Sequence, residues 1–293
     1  MIICAELPEA HDSKTRFTDR VKDYSLYRPS YPAEAVDYVF NKLPVNADTV
    51  IADIGAGTGL FTELLLANNS PVIAVEPNAA MRAEADDRLR HYPNYNSVSG
   101  SAEETRLDDK SIDIIVAAQS FHWFNLPEAK REFARILKLG GKTVLIWNRR
   151  DSSGSEFLME YETLLGSMIA EYSKVSHDRA SDAVIEEFLG SEMVKAEFSN
   201  YQDFDFRGFK GRLQSSSYCP IEGAEGYVEL MVSMEELFQT HAVKKLFALN
   251  IEHRFIMFKV NDGLNVYGNI SKSRWVLIIC PLKNALFCMG SGE

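Results

Sequence analysis

The residues that could do chemistry cluster between Asp53 and Trp123. Asp53 stands near the end of an apolar run, Val50-Ile51-Ala52-Asp53-Ile54, and Gly55, Gly57 and Gly59 follow at alternate positions. Bare backbone of this kind, placed before a helix, lets N–H groups touch a ligand where the helix dipole favours an anionic group. Glu76 closes a second apolar run, and two carboxylate oxygens match two adjacent hydroxyl donors, as on a ribose. Ser101 and Ala102 follow a third run, and Gln119 a fourth. His122 has a side chain whose unperturbed pKa of ~6.5 suits proton transfer at neutral pH. Trp123 offers a π face to a cation. Each also suits plain packing, the imidazole against the indole.

The elements that must position these residues are legible as alternating patterns. Phe61, Leu64 and Leu65 start a helix after the glycines, and Asn68-Asn69-Ser70-Pro71 stops it. Val72-Ile73-Ala74-Val75 reads as a strand buried on both faces. Asn78 is placed to cap a helix that turns Met81, Ala85 and Leu89 inward. Ser111 to Ala118 is a fourth strand, Pro127 opens a helix that Gly140-Gly141 should end, and Lys142 to Trp147 is a fifth strand. Strand and helix alternating in this way predict a parallel α/β sheet with right-handed crossovers. Ligands of such sheets lie at the carboxyl ends of the strands, where Asp53, Glu76, Ser101 and Gln119 all fall.

The spacing of the glycines separates two ligand classes. A dinucleotide fingerprint requires G-x-G-x-x-G, whereas this loop is Asp53-x-Gly55-x-Gly57-x-Gly59. That form resembles the first motif of the class I S-adenosylmethionine (SAM) dependent methyltransferases. Glu76-Pro77, Gly100-Ser101-Ala102-Glu103 and Gln119-Ser120-Phe121-His122-Trp123-Phe124 extend the resemblance, as do the lead-in Tyr24 to Pro32 and the segment Gly211 to Tyr218. Together they are similar to type 11 methyltransferases, close to the trans-aconitate-methyltransferase-like members that act on small molecules.

The resemblance implies a Rossmann-like, doubly wound, mostly parallel sheet with added helices in the C-terminal half. It implies SAM as cofactor and a cofactor-binding set of Tyr24, Arg28, Asp53, Gly55, Gly57, Gly59, Glu76, Ser101, Ala102 and Gln119. Asp53, Gly55 and Gly57 would shape the methionine end and Glu76 would hold the ribose. Ala102 would present its N–H to the adenine, with Ser101 where many relatives carry an acidic residue. Gln119 would lie under the methionine backbone, while Tyr24 and Arg28 would close over the cofactor. His122 and Trp123 would face the acceptor. An acceptor carboxylate needs no base; for a hydroxyl or amine, His122 is the candidate.

Bulk properties narrow the partners. Of 293 residues, 46% are apolar and 25% charged, as in ordinary globular proteins. A net charge of −11 without a basic tract disfavours nucleic acid. The four cysteines are scattered with no C-x-x-C pair, which suggests neither a disulfide framework nor a metal site. No apolar run approaches the ~20 residues of a membrane span, and the expected location is cytoplasmic. The expected partner is a small-molecule methyl acceptor; the sequence leaves the oligomeric state open.

Domain organisation is expected as one unit: an N-terminal lid and first helix over 1–45, a SAM-binding core over 46–150, and helices, closing strands and an atypical tail over 151–293. Phe157 to Tyr172, Ile185 to Leu189 and Leu230 to Phe238 carry helical stripes, and Ala196 to Phe206 alternates as a strand. From Lys244 onward the resemblance weakens, although Arg254 to Val260 and Trp275 to Cys280 are apolar enough for strands. Two other functions remain open. A catalytically inactive SAM-fold protein would bind and regulate without turnover, and an NAD-type oxidoreductase would use a similar fold.

Overall fold

The short apolar runs become strands of one sheet. The computed structural model describes residues 17–43, 45–150, 155–170, 172, 181–189, 193–241 and 247–259. The strands are β1 (Ile51–Ile54), β2 (Val72–Val75), β3 (Tyr95–Val98), β4 (Ile112–Ala118), β5 (Leu137–Arg150), β6 (Met193–Phe204) and β7 (Phe247–Lys259). Their order across the sheet is β3-β2-β1-β4-β5-β7-β6. The first five run parallel, and β7 is antiparallel to both β5 and β6. This is the doubly wound, mostly parallel sheet that the resemblance implies, and its five parallel strands are those that the alternating pattern predicts. From β1 the chain builds outward through β2 and β3, then crosses back to β4 on the other side. The order therefore reverses between β1 and β4, the place where such sheets open a crevice for ligands.

Period-two alternation divides the core between the two faces. Ile51, Ile114, Val116, Val144 and Ile146 pack on one side with Phe61 and Leu65 of α3 (Leu60–Leu66), Leu89 of α4 (Ala79–Leu89) and Val39 of α2 (Ala33–Lys42). Ala52, Ile54, Ile115, Ala117, Leu145 and Trp147 face the other way. There they meet Phe133 and Ile136 of α5 (Leu126–Ile136) and Ile185 and Phe188 of α7 (Asp182–Leu189). A fully buried Ile or Leu of this kind contributes roughly 1.5–3 kcal/mol. A second, helical core joins α6 (Glu156–Met168), α8 (Phe206–Gln214) and α9 (Tyr227–His241) through Tyr161, Phe209, Leu213, Met234 and Phe238. The chain before β1 supplies α1 (Val21–Tyr27), preceded by a 3-10 turn at Thr18–Arg20.

Three boundaries differ from the sequence expectation. Gly140-Gly141 does not end the helix: α5 stops at Ile136, and β5 begins at once with Leu137 opposite Ile112. The next pairing is Ile114 with Lys142, so residues 138–141 bulge out of the ladder, with Gly140 at φ 77°. Gly141 lies where a Cβ would come 2.8 Å from Leu137 Cδ2, so the glycine pair serves the bulge. Phe206 opens α8 rather than closing a strand, since Asp205 accepts the Gly208 N–H and caps the helix. Residues 247–259 form β7, hydrogen-bonded between β5 and β6 in the middle of the antiparallel part of the sheet. The expected strand Trp275 to Cys280 lies outside the described residues.

Candidate active site

The site is assembled at the carboxyl ends of β1, β2 and β4 by backbone hydrogen bonds between neighbouring strand ends. The N–H groups of Gly55 and Ala56 both donate to Val75 O, at 2.8 and 3.2 Å, so the glycine loop is pinned to the end of β2. Gln119 N donates to Ile146 O at 2.8 Å, and Ser120 Oγ donates to Ile54 O at 2.6 Å. Gly55, Gly57 and Gly59 all have positive φ (74°, 58° and 79°), the left-handed region that costs other residues strain. At Gly55 a Cβ would also lie 2.5 Å from Ser120 Cβ.

Two adjoining chambers open around this loop. The larger has about 680 Å³ of empty space, its open mouth included, and is walled by Gly57, Glu76, Met81, Ser101, Ala102 and Trp123, with Phe17 and Phe124 among its aromatic neighbours. The smaller, about 490 Å³ on the same basis, is walled by Arg28, Tyr31, Asp53, Asn148 and Arg212. Tyr24, Gly55 and Gln119 border both, so they stand at the junction. Small-molecule sites are clefts of this size, mostly apolar with a few placed polar groups.

Several of those polar groups are buried with hydrogen-bonding capacity left over among the described residues. Asp53 is 1% exposed; its Oδ2 accepts the Thr62 hydroxyl at 2.7 Å, and its Oδ1 has no partner among the described residues. Burial pushes the Asp53 carboxyl up to about 7, against the pull of the Thr62 hydrogen bond, with the Glu76 charge adding to the rise. Glu76 is also raised, first by burial, while the N–H groups of Asn78 and Gly57 favour its ionised form. Gln119 Nε2 and Arg28 Nε are buried without partners among the described residues. Gln119 adopts φ 58°, unusual for a residue with a side chain. An acceptor, an amide donor and a guanidinium N–H, each buried without a partner among the described residues on side chains that line the cleft, fit a ligand with an ammonium and a carboxylate. The glycine cradle and the diol-sized carboxylate of Glu76 fit its nucleoside.

Most of the expected residues are brought together here: Tyr24, Arg28, Asp53, Gly55, Gly57, Glu76, Ser101, Ala102, Gln119 and Trp123 all line one chamber or both. Gly59 lines neither. A Cβ there would meet Leu89 Cδ1 at 2.7 Å and Ala85 Cβ at 3.2 Å, so this glycine lets α4 pack against the start of α3. His122 also lines neither chamber; it sits in the 3-10 turn Phe121–Trp123 with its ring 4.8 Å from that of Trp123. Trp123 borders the larger chamber beside Ser101 and Ala102, and not the smaller one with Arg28 and Arg212. Its ring packs edge-on to Phe17 at 6.0 Å.

Several lining residues escape sequence reasoning. Asn148 and Arg212 reach the smaller chamber from β5 and α8. Thr62, nine positions after Asp53, holds the carboxylate from within α3. Phe17 and Glu103 join the larger chamber, with Glu103 Oε1 accepting the Asn125 N–H at 2.8 Å. Arg212 and Glu103 had a signal, since they lie in the resembling segments Gly211 to Tyr218 and Gly100 to Glu103.

Comparison with known proteins identifies the architecture. A family model described as a methyltransferase domain matches residues 52–145. An uncharacterized methyltransferase of Mycobacterium bovis is 33% identical over 231 residues, which are 78% of this chain and 88% of that protein. An uncharacterized methyltransferase-like protein of Schizosaccharomyces pombe is 38% identical over 148 residues, 50% of this chain and 56% of the yeast protein. The match to that protein thus spans little more than half of its length. Among solved structures, a type II methyltransferase candidate from Anaeromyxobacter dehalogenans aligns over 81% of this chain and all of its own, with TM-score 0.59 and 20% identity, a likeness of fold. The pocket chemistry and these relationships agree: the chain belongs to the class I SAM-dependent methyltransferases, and SAM is its cofactor.

Proposed function

We propose that the protein transfers the methyl group of SAM to a small-molecule acceptor bearing a carboxylate, hydroxyl or amine. The observation that carries this is the meeting of two small chambers at a shared junction. Tyr24 of α1, Gly55 and Gln119 surround it, and Arg28, Tyr31, Asn148 and Arg212 wall the space beyond. A chamber of about 490 Å³ beside the junction suits a compact acceptor. The net charge of −11 argues against a nucleic acid partner.

The residue roles follow from the open atoms. Asp53 Oδ1 takes the cofactor ammonium, and Arg28 Nε takes its carboxylate. Gln119 Nε2 lies under the same end. Glu76 holds the ribose, while Ser101 and Ala102 border the adenine with Trp123 across from them. SAM supplies a methyl carbon already activated by its sulfonium. An acceptor lone pair would displace the sulfonium sulfur from that carbon to give S-adenosylhomocysteine, and a hydroxyl or amine acceptor would pass its proton to solvent. Alignment and exclusion of water supply most of the rate in such a displacement. A carboxylate acceptor needs no base, which suits a junction that His122 does not border.

The test is a screen of carboxylic acids, phenols and amines for S-adenosylhomocysteine release by the wild-type chain. Turnover with a member of one class establishes the reading and names the class. Tight SAM binding with no release from any member favours the inactive, regulatory alternative.

A further inference from the structure

Besides hydrogen bonds of Thr18 with Asn78, Ser25 with Glu84 and Tyr27 O with Gln202, the segment around α1 is tied by two arginines to one buried turn. Ser215, Ser216 and Cys219 are at most 2% exposed and follow the last residue of α8, where helix carbonyls lack intrahelical donors. Arg20 Nη1 donates to Gln214 O at 3.1 Å and to Ser216 O at 2.6 Å, and Arg20 Nη2 donates to Cys219 O at 2.5 Å. Arg28 Nη2 donates to Ser215 O at 2.8 Å. The two guanidinium groups therefore hold alternating carbonyls of one turn, Arg20 on either side of the carbonyl that aligns Arg28. A cation at a helix C-terminus is also favoured by the helix dipole.

The helices themselves are matched to this contact. Gly211 of α8 lies under the ring of Tyr27 from α1, so closely that a Cβ would sit 2.2 Å from Tyr27 Cε2. Docking α1 on α8 places Tyr24 and Arg28 on one wall of the smaller chamber and Arg212 on another. Arg28 also lies over the Tyr24 ring at 4.8 Å, which couples those two residues. Arg20 lines neither chamber.

We infer that Arg20 is a positioning residue for the methyl transfer: it latches α1 onto the end of α8 and so holds Tyr24 and Arg28 closed over the cofactor. The inference rests on the assignment of the two chambers to SAM. Without the latch the closed arrangement is a smaller fraction of the ensemble, and apparent affinity falls by that fraction.

The test is calorimetric titration of the full chain with S-adenosylhomocysteine. R20A should raise the Kd roughly tenfold. R20K should recover part of the loss, because an ammonium keeps the charge and up to three donors but not the planar fork. G211A, which pushes on Tyr27 without touching Arg20, should weaken binding in the same direction and carries the test with R20K if R20A does not fold. An R20A chain that melts earlier yet binds with the wild-type Kd would show a purely structural arginine and overturn the latch alone. A wild-type chain that takes up no S-adenosylhomocysteine would overturn the chamber assignment, and the latch with it.

Discussion

Glu76 Oε2 accepts the backbone N–H of Gly57 at 2.8 Å, which joins the carboxylate after β2 to the glycine loop after β1. Its other oxygen accepts the Asn78 N–H, also at 2.8 Å. The carboxylate is thus oriented from behind by two backbone donors, and its remaining lone pairs are free to meet a ribose diol. E76Q would turn one acceptor into a donor aimed at a backbone N–H. We expect a loss of about 1–3 kcal/mol in stability and a loss of at least roughly tenfold in S-adenosylhomocysteine affinity. Denaturant melts and calorimetry check the two parts separately; undiminished binding would remove Glu76 from the cofactor site.

Asp53 makes stability and binding depend on pH in opposite senses. Its carboxyl titrates at about 7 in the folded chain against 3.8 for an unperturbed one. Between these values the native state keeps a proton that the unfolded chain has lost. The stability from this group is therefore fully present below about pH 4 and is lost as pH rises to about 7. D53N removes the ionisation, so at pH 8 the ligand-free variant should be more stable than wild type, by up to about 4 kcal/mol. Affinity for SAM should fall in D53N, and in wild type it should rise from pH 6 to pH 8 as the carboxylate forms. Unfolding curves at both pH values, paired with titrations, measure this; a D53N chain less stable than wild type at pH 8 contradicts it.

The three glycines should separate on substitution. G59A meets Leu89 and Ala85 at positive φ, away from both chambers. It should cost about 1–3 kcal/mol in stability, with the affinity of the folded fraction within about twofold of wild type. G55A collides with Ser120 at the junction of the chambers and should weaken binding as well. Equal binding losses in both variants would argue that the loop acts as one rigid unit.

His122 offers a test of general base catalysis. Its ring packs on Trp123 and borders neither chamber. H122A should therefore keep kcat within about threefold and leave the pH–rate profile unchanged, since a true base supplies roughly 10²–10⁴. W123A should act on cofactor affinity instead, through the larger chamber. Loss of the acidic limb of the profile in H122A would restore the histidine to the chemistry.

How far the site could be read beforehand depended on how local each signal was. Asp53, the glycines, Glu76 and Gln119 each end a strand with a strong apolar signature, so strand order carried them to one rim. Arg20 had no such local marker, because it reaches its position through packing of α1 on the end of α8; Asn148 follows the fifth apolar run and Arg212 lies in a resembling segment, but neither pattern assigned them to the site. Gly140-Gly141 misled for a related reason. Two glycines after a helical stripe resemble a terminator, but here the β4–β5 ladder skips from Leu137 to Lys142 and the glycines serve the bulge.

The amino-acid order alone determined the parallel sheet, the glycine loop and the strand ends that share its rim, because alternating burial and glycine stereochemistry are properties of neighbouring residues. Only the tertiary structure decided which glycines line the chambers and which meets α4, on which side of the junction Trp123 stands, and which arginines wall the cleft. Those outcomes are set by contacts between residues far apart in sequence, Gly59 with Leu89 and Arg20 with Cys219 among them, and no local pattern encodes them.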